Sequence, residues 1–360
     1  MPRIIAHLDM DAFFALVEEV TTPAFLGKPI VVGAEPNNGY ARGVVSTANY
    51  KAREYGIHSA MPISIAWKLS QKAKNEGKEE VIFLPVDFAL YSKASAKVSK
   101  VIHKYSKVVE QASVDEFYYD LSESGSFVAA KEICKNIKRE ILETTKLTCS
   151  IGIAPNKMIA KIAAGIKKPD GLFMVEEKDV ENFLKTLSVR ELPGIGPKTG
   201  EFLSKKNIII VNDLLKFSKE ELQKMMGKHG EGIYYASRGI DDSPVSSYHE
   251  VKSIGEQTTF NQNSLDSLFI LGVLKKLSDS VFKSFSQSGF KSFKTVVFTI
   301  RFSDFETKTS SKTLREPLGK KDKKKFEIET IKLSLPFLDK RSNPRNKFIR
   351  LIGIRIEKLA

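Results

Sequence analysis

The chain has 360 residues, 42% of them hydrophobic and 28% charged, and a formal net charge of +14. At ~100–200 residues per domain that length predicts two or three domains, and the balance of hydrophobic and charged residues excludes wholesale disorder and a fibre. No apolar run approaches the ~20 residues that span a bilayer, and no charged-then-apolar leader opens the chain, so a cytoplasmic protein with no membrane partner is expected.

In chain order, Arg3 to Asp9 alternates like a strand that ends at an acidic residue. Phe13 to Val20 has helical spacing, with Asp11 as its N-cap. Gly27 to Pro29 is a turn before a short buried strand, Ile30 to Val32, and a second strand lies around Val44 and Val45. Ala48 to Glu54 and Ile63 to Ala73 read as short helices, Val81 to Leu84 as a strand, and Ala89 to Tyr105 as a helix. Val108 to Ala112 and Phe117 to Leu121 read as strands flanking Ser113-Val-Asp-Glu116. Phe127 to Thr144 is a helix, Leu147 to Ile153 a strand, and Lys157 to Ile166 a helix stopped by Lys168-Pro169. Cys134 and Cys149 lack metal-ligand spacing and read as buried small hydrophobes. This alternation predicts an α+β fold with acidic residues at strand ends.

The character changes after residue 176. Up to residue 240 only Ile208 to Val211 suggests a strand, and the segment reads as a small helical unit. Asp241 to Ser247 is turn-rich and reads as a linker, and the stretch near Ser243 to Val251 suggests that the C-terminal segment can move. Beyond it, Phe293 to Phe302 and Phe348 to Ile356 alternate like strands, while Leu268 to Phe285 and Lys325 to Leu335 look helical. Residues 243–360 hold 23 basic and 12 acidic residues, a net of +11. Such a segment favours a polyanion through phosphate contacts and counterion release; a solvated lysine-rich surface is the alternative. The run from Lys320 to Lys325 reads as a solvated loop or helix start.

Three acidic residues carry the chemistry. Asp9 alone reads equally as a turn or cap residue, but the adjacent Asp115 and Glu116 lie between two apolar strands. Uncompensated carboxylates there are expensive. Bound divalent cations relieve that cost, and paired oxygen-ligated metals serve displacement at phosphorus. Pro193-Gly-Ile-Gly-Pro197 before a helix exposes backbone N–H groups at the positive end of a dipole, which suits a phosphate. In helical surroundings it reads as a helix-hairpin-helix that grips a DNA backbone without reading sequence; an ordinary interhelical turn is the alternative. On a helix, Tyr50 and Arg53 share a face and suit a triphosphate, with core packing as the alternative for Tyr50.

Together these strings resemble a known family. His7-Leu-Asp9-Met-Asp11-Ala-Phe-Phe14 is similar to the opening motif of the Y-family DNA polymerases, and Ser113-Val-Asp115-Glu116 to their second acidic motif. Val45-Ser-Thr47-Ala-Asn-Tyr50-Lys-Ala-Arg53 resembles their fingers motif. Ser150 to Lys157, Lys161-Ile-Ala and Lys168-Pro-Asp-Gly171 resemble the end of their palm. Leu192-Pro-Gly-Ile-Gly196 matches the thumb hairpin, and Lys252-Ser-Ile-Gly255 the start of the little finger. The motifs run in family order over nearly the whole chain and are closest to the DinB-like subgroup.

The resemblance implies an α+β right-hand polymerase. Its palm would be residues 1–20 and 78–168, its small fingers 21–77, its helical thumb 169–240, a linker 241–252 and a DNA-binding little finger 253–360. It implies a template-directed, low-fidelity DNA polymerase without a proofreading exonuclease, which adds dNTPs to a primer and bypasses damaged bases. Asp9, Asp115 and Glu116 would hold two Mg²⁺ ions with the Met10 carbonyl, Mn²⁺ being a substitute. Phe13, Phe14, Thr47, Tyr50, Arg53 and Lys168 would bind the dNTP, with Phe14 as steric gate against a ribose 2′-hydroxyl. Of Phe13 and Phe14, only one can point at the sugar. Val44, Ser46 and Ala60 would line a roomy pocket for the templating pair. Gly194, Gly196 and Lys198 would meet the DNA backbone. Primer-template DNA and dNTP are the implied partners of a monomer. A sliding clamp is a further candidate, although Ile356 to Ala360 lacks the Gln-and-aromatic tail by which many members dock on one. Two readings compete. A DNA-binding scaffold gives no reason for the acidic triad, and a nucleotide cyclase needs neither the hairpin nor the basic C-terminal segment.

Overall fold

The computed structural model describes residues 2–248, 250–339 and 341–360. These form two compact units, Met1–Tyr40 with Val44–Tyr248, and Ala41–Gly43 with His249–Ala360.

In the first unit, β1 (Ile5–Met10) alternates as expected, and Ala6, Leu8 and Met10 enter one core. Ile5, His7 and Asp9 therefore take the opposite face. Helix α1 (Phe13–Thr21) begins without a side-chain cap: its N-cap is Ala12, in the left-handed region at φ 41°. Asp11 is therefore not the cap expected from sequence. Strands β2 (Ile30–Gly33) and β3 (Val45–Ala48) pair antiparallel. Helix α2 (Tyr50–Arg53) starts on Asn49, whose side chain accepts from the Ala52 amide, and α3 (Ile63–Asn75) leads to β4 (Ile82–Leu84), parallel to β2. Helix α4 (Phe88–Ile102) is capped by Asp87. Then come β5 (Val109–Gln111), β6 (Glu116–Asp120), α5 (Phe127–Thr145), β7 (Cys149–Ala154), α6 (Lys157–Ile166) and β8 (Leu172–Met174).

The strands build two sheets, β5-β6-β1-β7-β8 and β3-β2-β4. In the larger sheet β1 is central and antiparallel to both neighbours, so Asp9 stands opposite Glu116 on one side and Ser150 on the other. Helix α6 lies on β7 and β1. Gly152 permits this approach: a Cβ there would meet the Ala160 carbonyl oxygen at 2.0 Å. Both cysteines are buried and unpaired, and burial pushes each thiol up to about 12.

The chain continues as small helices, α7 (Val180–Lys185), α8 (Pro197–Ser204), α9 (Val211–Leu214), α10 (Lys219–Met226) and α11 (Lys228–Ser237), around their own apolar cluster. The strand suggested at Ile208 to Val211 is absent: Ile210 makes one isolated bridge to Ser188, and Val211 opens α9. Ile208 and Val211 are buried in the helical cluster instead.

The stretch expected to be a linker is tied to the first unit up to Ser246. Arg3 donates to the carbonyls of Asp241 (3.0 Å) and Ser243. Asp241 Oδ2 accepts from the Met158 amide at 2.9 Å. Glu110 accepts from the Ser246 amide at 3.0 Å and pairs with Lys157 at 2.7 Å.

The second unit is a four-stranded antiparallel sheet, formed by β9 (Ser253–Ser264), β10 (Ser292–Phe302), β11 (Thr307–Gly319) and β12 (Ile349–Leu359) in the order β11-β10-β12-β9. Helices α12 (Ser267–Gln287) and α13 (Lys323–Leu338) pack with it around Phe282, Phe285, Phe293 and Phe326. Strands β9 and β11 were not expected from the sequence pattern. Among the described residues no helix is long and apolar enough to cross a membrane.

Candidate active site

The β1–β6 register puts Asp9 opposite Glu116, and the Met10 amide donates to the Asp115 carbonyl at 3.0 Å. Asp9 and the adjacent pair Asp115 and Glu116, far apart in sequence, therefore meet at one end of the sheet. Each has a neighbour. Lys168 Nζ lies 2.6 Å from Asp9 Oδ1, and Lys161 Nζ lies 2.5 Å from Glu116 Oε1. Asp115 Oδ1 accepts from the Ser113 hydroxyl at 2.5 Å. Burial pushes the Asp9 carboxyl above its ordinary value; Lys168 opposes this, and Glu116 and Asp115 add to it.

Among the described residues no three His, Cys, Asp or Glu side chains converge as a ready metal cage. The donor set still fits a hard cation. It offers only oxygens, and three carboxylates are answered by two lysines, which leaves surplus negative charge at a half-buried place. The Met10 side chain is in the core, so only its backbone can take part.

Beneath the carboxylates, His7 is fully buried and both ring nitrogens lack a partner. Burial, then Lys161, Lys168 and Lys157, pushes its imidazole below its usual value. It packs on Tyr118, with ring centroids 4.5 Å apart. No sequence signal singled it out.

Asp11 fastens the turn that follows Lys168. Buried at 1% exposure, Asp11 accepts from the Ser150 hydroxyl and from the Asp170 amide, both at 2.8 Å, and Gly171 N donates to Ser150 Oγ at 3.2 Å. These bonds fasten the turn after α6 to the end of β1. The sequence offered no sign of it, because the partners lie 139 and 159 residues away.

Tyr50 and Arg53 come together as the helix spacing required: the guanidinium stands 4.5 Å over the Tyr50 ring. The Tyr50 hydroxyl is buried without a partner. Burial raises its pKa, Asp11 and Asp9 add to the rise, and Arg53 opposes it. An orphaned donor beside a guanidinium is suited to a phosphate oxygen. Thr47 is half-buried on β3. Phe13 is 1% exposed in the core and presents no side-chain surface. Phe14 is half-buried and stacks on Tyr91, with centroids 4.2 Å apart and rings 12° from parallel.

Val44, Ser46 and Ala60 are brought together. Val44 bridges Pro62, and the Ala60 amide donates to the Val45 carbonyl at 2.9 Å. Val44 and Ala60 are exposed, and Ala60 sits in the left-handed region at φ 65°. Gly194, Gly196 and Lys198 lie apart from the carboxylates, at the turn into α8. Gly194 has φ 94°, Gly196 is the N-cap, and all three are exposed.

Comparison with known proteins shows the family and the fold. The impB/mucB/samB family model matches residues 8–165, a thumb-domain model described for DNA polymerase-iota matches 190–241, and the impB/mucB/samB C-terminal domain matches 251–360. The chain is 40% identical to a DNA polymerase IV of Methanoculleus marisnigri, over 99% of this chain and 94% of that one. It is 36% identical to a DNA polymerase IV of Clostridium perfringens, over 99% and 94%. Among solved structures it is similar to a Y-family DNA polymerase chimera of Dbh and Dpo4, with 29% identity, a TM-score of 0.84 and 99% of both chains covered. It is also similar to an insertion ternary complex of Dbh DNA polymerase, with 29% identity, a TM-score of 0.69 and 99% of both covered. The fold is thus the α+β right-hand polymerase expected from the motifs, and the chain belongs to the impB/mucB/samB family, the Y-family DNA polymerases.

Proposed function

We propose that this chain is a template-directed, low-fidelity DNA polymerase that extends a primer 3′ end with dNTPs and copies past damaged template bases. The observation that carries this reading is the gathering of Asp9, Asp115 and Glu116 at one sheet end, beside Lys168 and an unpartnered Tyr50 hydroxyl. In this reading the three carboxylates and the Met10 carbonyl hold two Mg²⁺ ions, for which Mn²⁺ would substitute. Such ions, when bound, lower the pKa of an attacking hydroxyl and neutralise a triphosphate.

The chain's own residues then orient the substrate. Tyr50, Arg53 and Lys168 bind the triphosphate, and Lys168 exchanges Asp9 for phosphate oxygens as it does so. Thr47 lies nearby. Phe14 faces the sugar, where its ring excludes a 2′-hydroxyl; Phe13 contributes through its backbone. Val44, Ser46 and Ala60 meet the templating pair. Their small side chains check base-pair shape weakly, so discrimination falls toward what pairing supplies. The Gly194–Lys198 turn holds a DNA backbone phosphate. The motif boundaries support a palm of 1–20 and 78–168, fingers of 21–77, a thumb of 169–240 and a little finger of 253–360 joined by 241–252. The enzyme acts in the cytoplasm as a monomer on primer-template DNA, with a sliding clamp as a further candidate partner.

Primer extension with Mg²⁺ and dNTPs tests this, beside Asp115→Ala. Extension by the parent, reduced at least about 10³-fold in the variant, is expected; a loss of that size corresponds to about 4 kcal/mol of transition-state stabilisation. Binding to the same DNA without extension would replace this reading with the scaffold.

A further inference from the structure

The ring assigned to the sugar is braced from behind, and the brace ends in a carboxylate that no proposed catalytic step uses. Phe14 and Glu18 lie four residues apart on α1 and so share one face of it. Tyr91 of α4 fits between them. Its ring stacks on Phe14, with centroids 4.2 Å apart and rings 12° from parallel, and its hydroxyl donates to Glu18 Oε1 at 2.6 Å. Tyr91 is fully buried at 0% exposure. Phe88, also on α4, meets Phe14 edge-on at 6.3 Å and 88°.

We propose that Glu18, acting through Tyr91, is a positioning residue for the sugar gate and sets how strongly ribonucleoside triphosphates are rejected. The inference rests on the assignment of Phe14 as the gate. A gate excludes a 2′-hydroxyl only as firmly as its ring resists displacement. Phe14 has two rotatable side-chain bonds and one half-exposed face, so by itself it could swing away from an added oxygen. Behind it, the Tyr91 ring occupies the space into which it would retreat. Tyr91 is itself held by a charge-assisted bond, shorter and stronger than a neutral one. Burial pushes the Tyr91 hydroxyl well above its usual pKa, so it stays a donor at every working pH. Both ends of the brace are on α1, so the gate and its anchor move as one body. A close-packed ring in a fixed rotamer cannot yield cheaply.

The test is single-nucleotide insertion on a primer-template with Mg²⁺, reading kcat/KM for a dNTP and for the matching rNTP. Glu18→Ala and Tyr91→Phe are each expected to raise relative rNTP insertion about tenfold, equivalent to about 1.4 kcal/mol, with dNTP kcat/KM within about threefold of the parent. Tyr91→Phe keeps the stack and loses only the hydroxyl, so it separates the bond from the packing. Glu18→Gln keeps an acceptor and should restore part of the discrimination. The double variant should be no more permissive than either single one, because both remove the same bond. An unchanged rNTP/dNTP ratio in Glu18→Ala and Tyr91→Phe, while Phe14→Val loses discrimination, would overturn the proposal and leave the gate standing. Equal loss of both activities would also overturn it, as the mark of a structural role. If Phe14→Val leaves the ratio unchanged, the gate assignment fails and the brace with it.

Discussion

Asp11 touches no substrate in the proposed chemistry, yet it bonds the Asp170 amide two residues after Lys168. Its carboxylate accepts from Ser150 and from the Asp170 amide, and it is almost completely buried. Replacing it with alanine leaves the Asp170 N–H without an acceptor, which costs about 1–3 kcal/mol. Asp11→Ala should therefore lower the urea midpoint and raise the KM for dNTP severalfold, with primer-template affinity unchanged. A lowered midpoint with an unaltered KM would mean that the bond only stabilises. Asp11 also marks the limit of what the sequence makes legible. The adjacent Asp115 and Glu116 and the helical spacing of Tyr50 and Arg53 could be picked out from sequence as candidates, because each pair is local and lies in a recognisable string. Partners more than a hundred residues apart announce nothing, so Asp11 reads as a helix cap from the few residues around it. The Glu18–Tyr91 bond, across 73 residues, also leaves no local pattern, and Tyr91 alone reads as one more core aromatic.

At the scale of elements, α6 is the piece that connects stability with the site. It brings Lys161 to Glu116 and Lys157 to Glu110, and it can do so because Gly152 presents bare backbone to it. A Cβ at residue 152 would lie 2.0 Å from the Ala160 oxygen and 2.4 Å from the Ala164 nitrogen. Backbone atoms of a helix cannot step aside singly, so α6 must move as a unit. Gly152→Ala should cost about 3 kcal/mol, the upper range of overpacking, and lower kcat for dNTP insertion at least tenfold as Lys161 leaves Glu116. Normal kcat in a destabilised variant would show that α6 supports the sheet without setting the site. Elements were legible where burial wrote a period into them. Helix α6, β10 and β12 carry apolar residues at the spacing their structures require. Strands β9 and β11 are the sheet's two edges, mostly exposed, and rich in Thr, Ser, Gln and Lys. Their pairing comes from the inner strands β12 and β10, so no apolar alternation marked them in advance.

At the scale of the whole molecule, charge is divided unequally between the two units. Residues 243–360 carry a net of +11 of the total +14, and they have a phenylalanine-rich core of their own. The first unit has its own apolar clusters and holds the chain as far as Ser246. A chain ending at residue 248 should therefore keep its sheet, its carboxylates and Lys168, while losing most of the net positive charge. Primer-template affinity of the full chain should fall steeply with salt, with a log–log slope of about −0.9 for each phosphate contact. The shortened chain should bind more weakly at low salt and show a slope smaller by several contacts. Its single-nucleotide insertion should persist at saturating DNA, because the carboxylates, Tyr50, Arg53 and Lys168 proposed to act all belong to the first unit. Titration of both chains from low to high salt, with insertion rates measured at each end, checks the division. Equal slopes would place the phosphate contacts in the first unit, on the turn from Gly194 to Lys198 and its neighbours. The +11 surplus would then be a solvated surface, and the basic segment would have to act through something other than the DNA backbone.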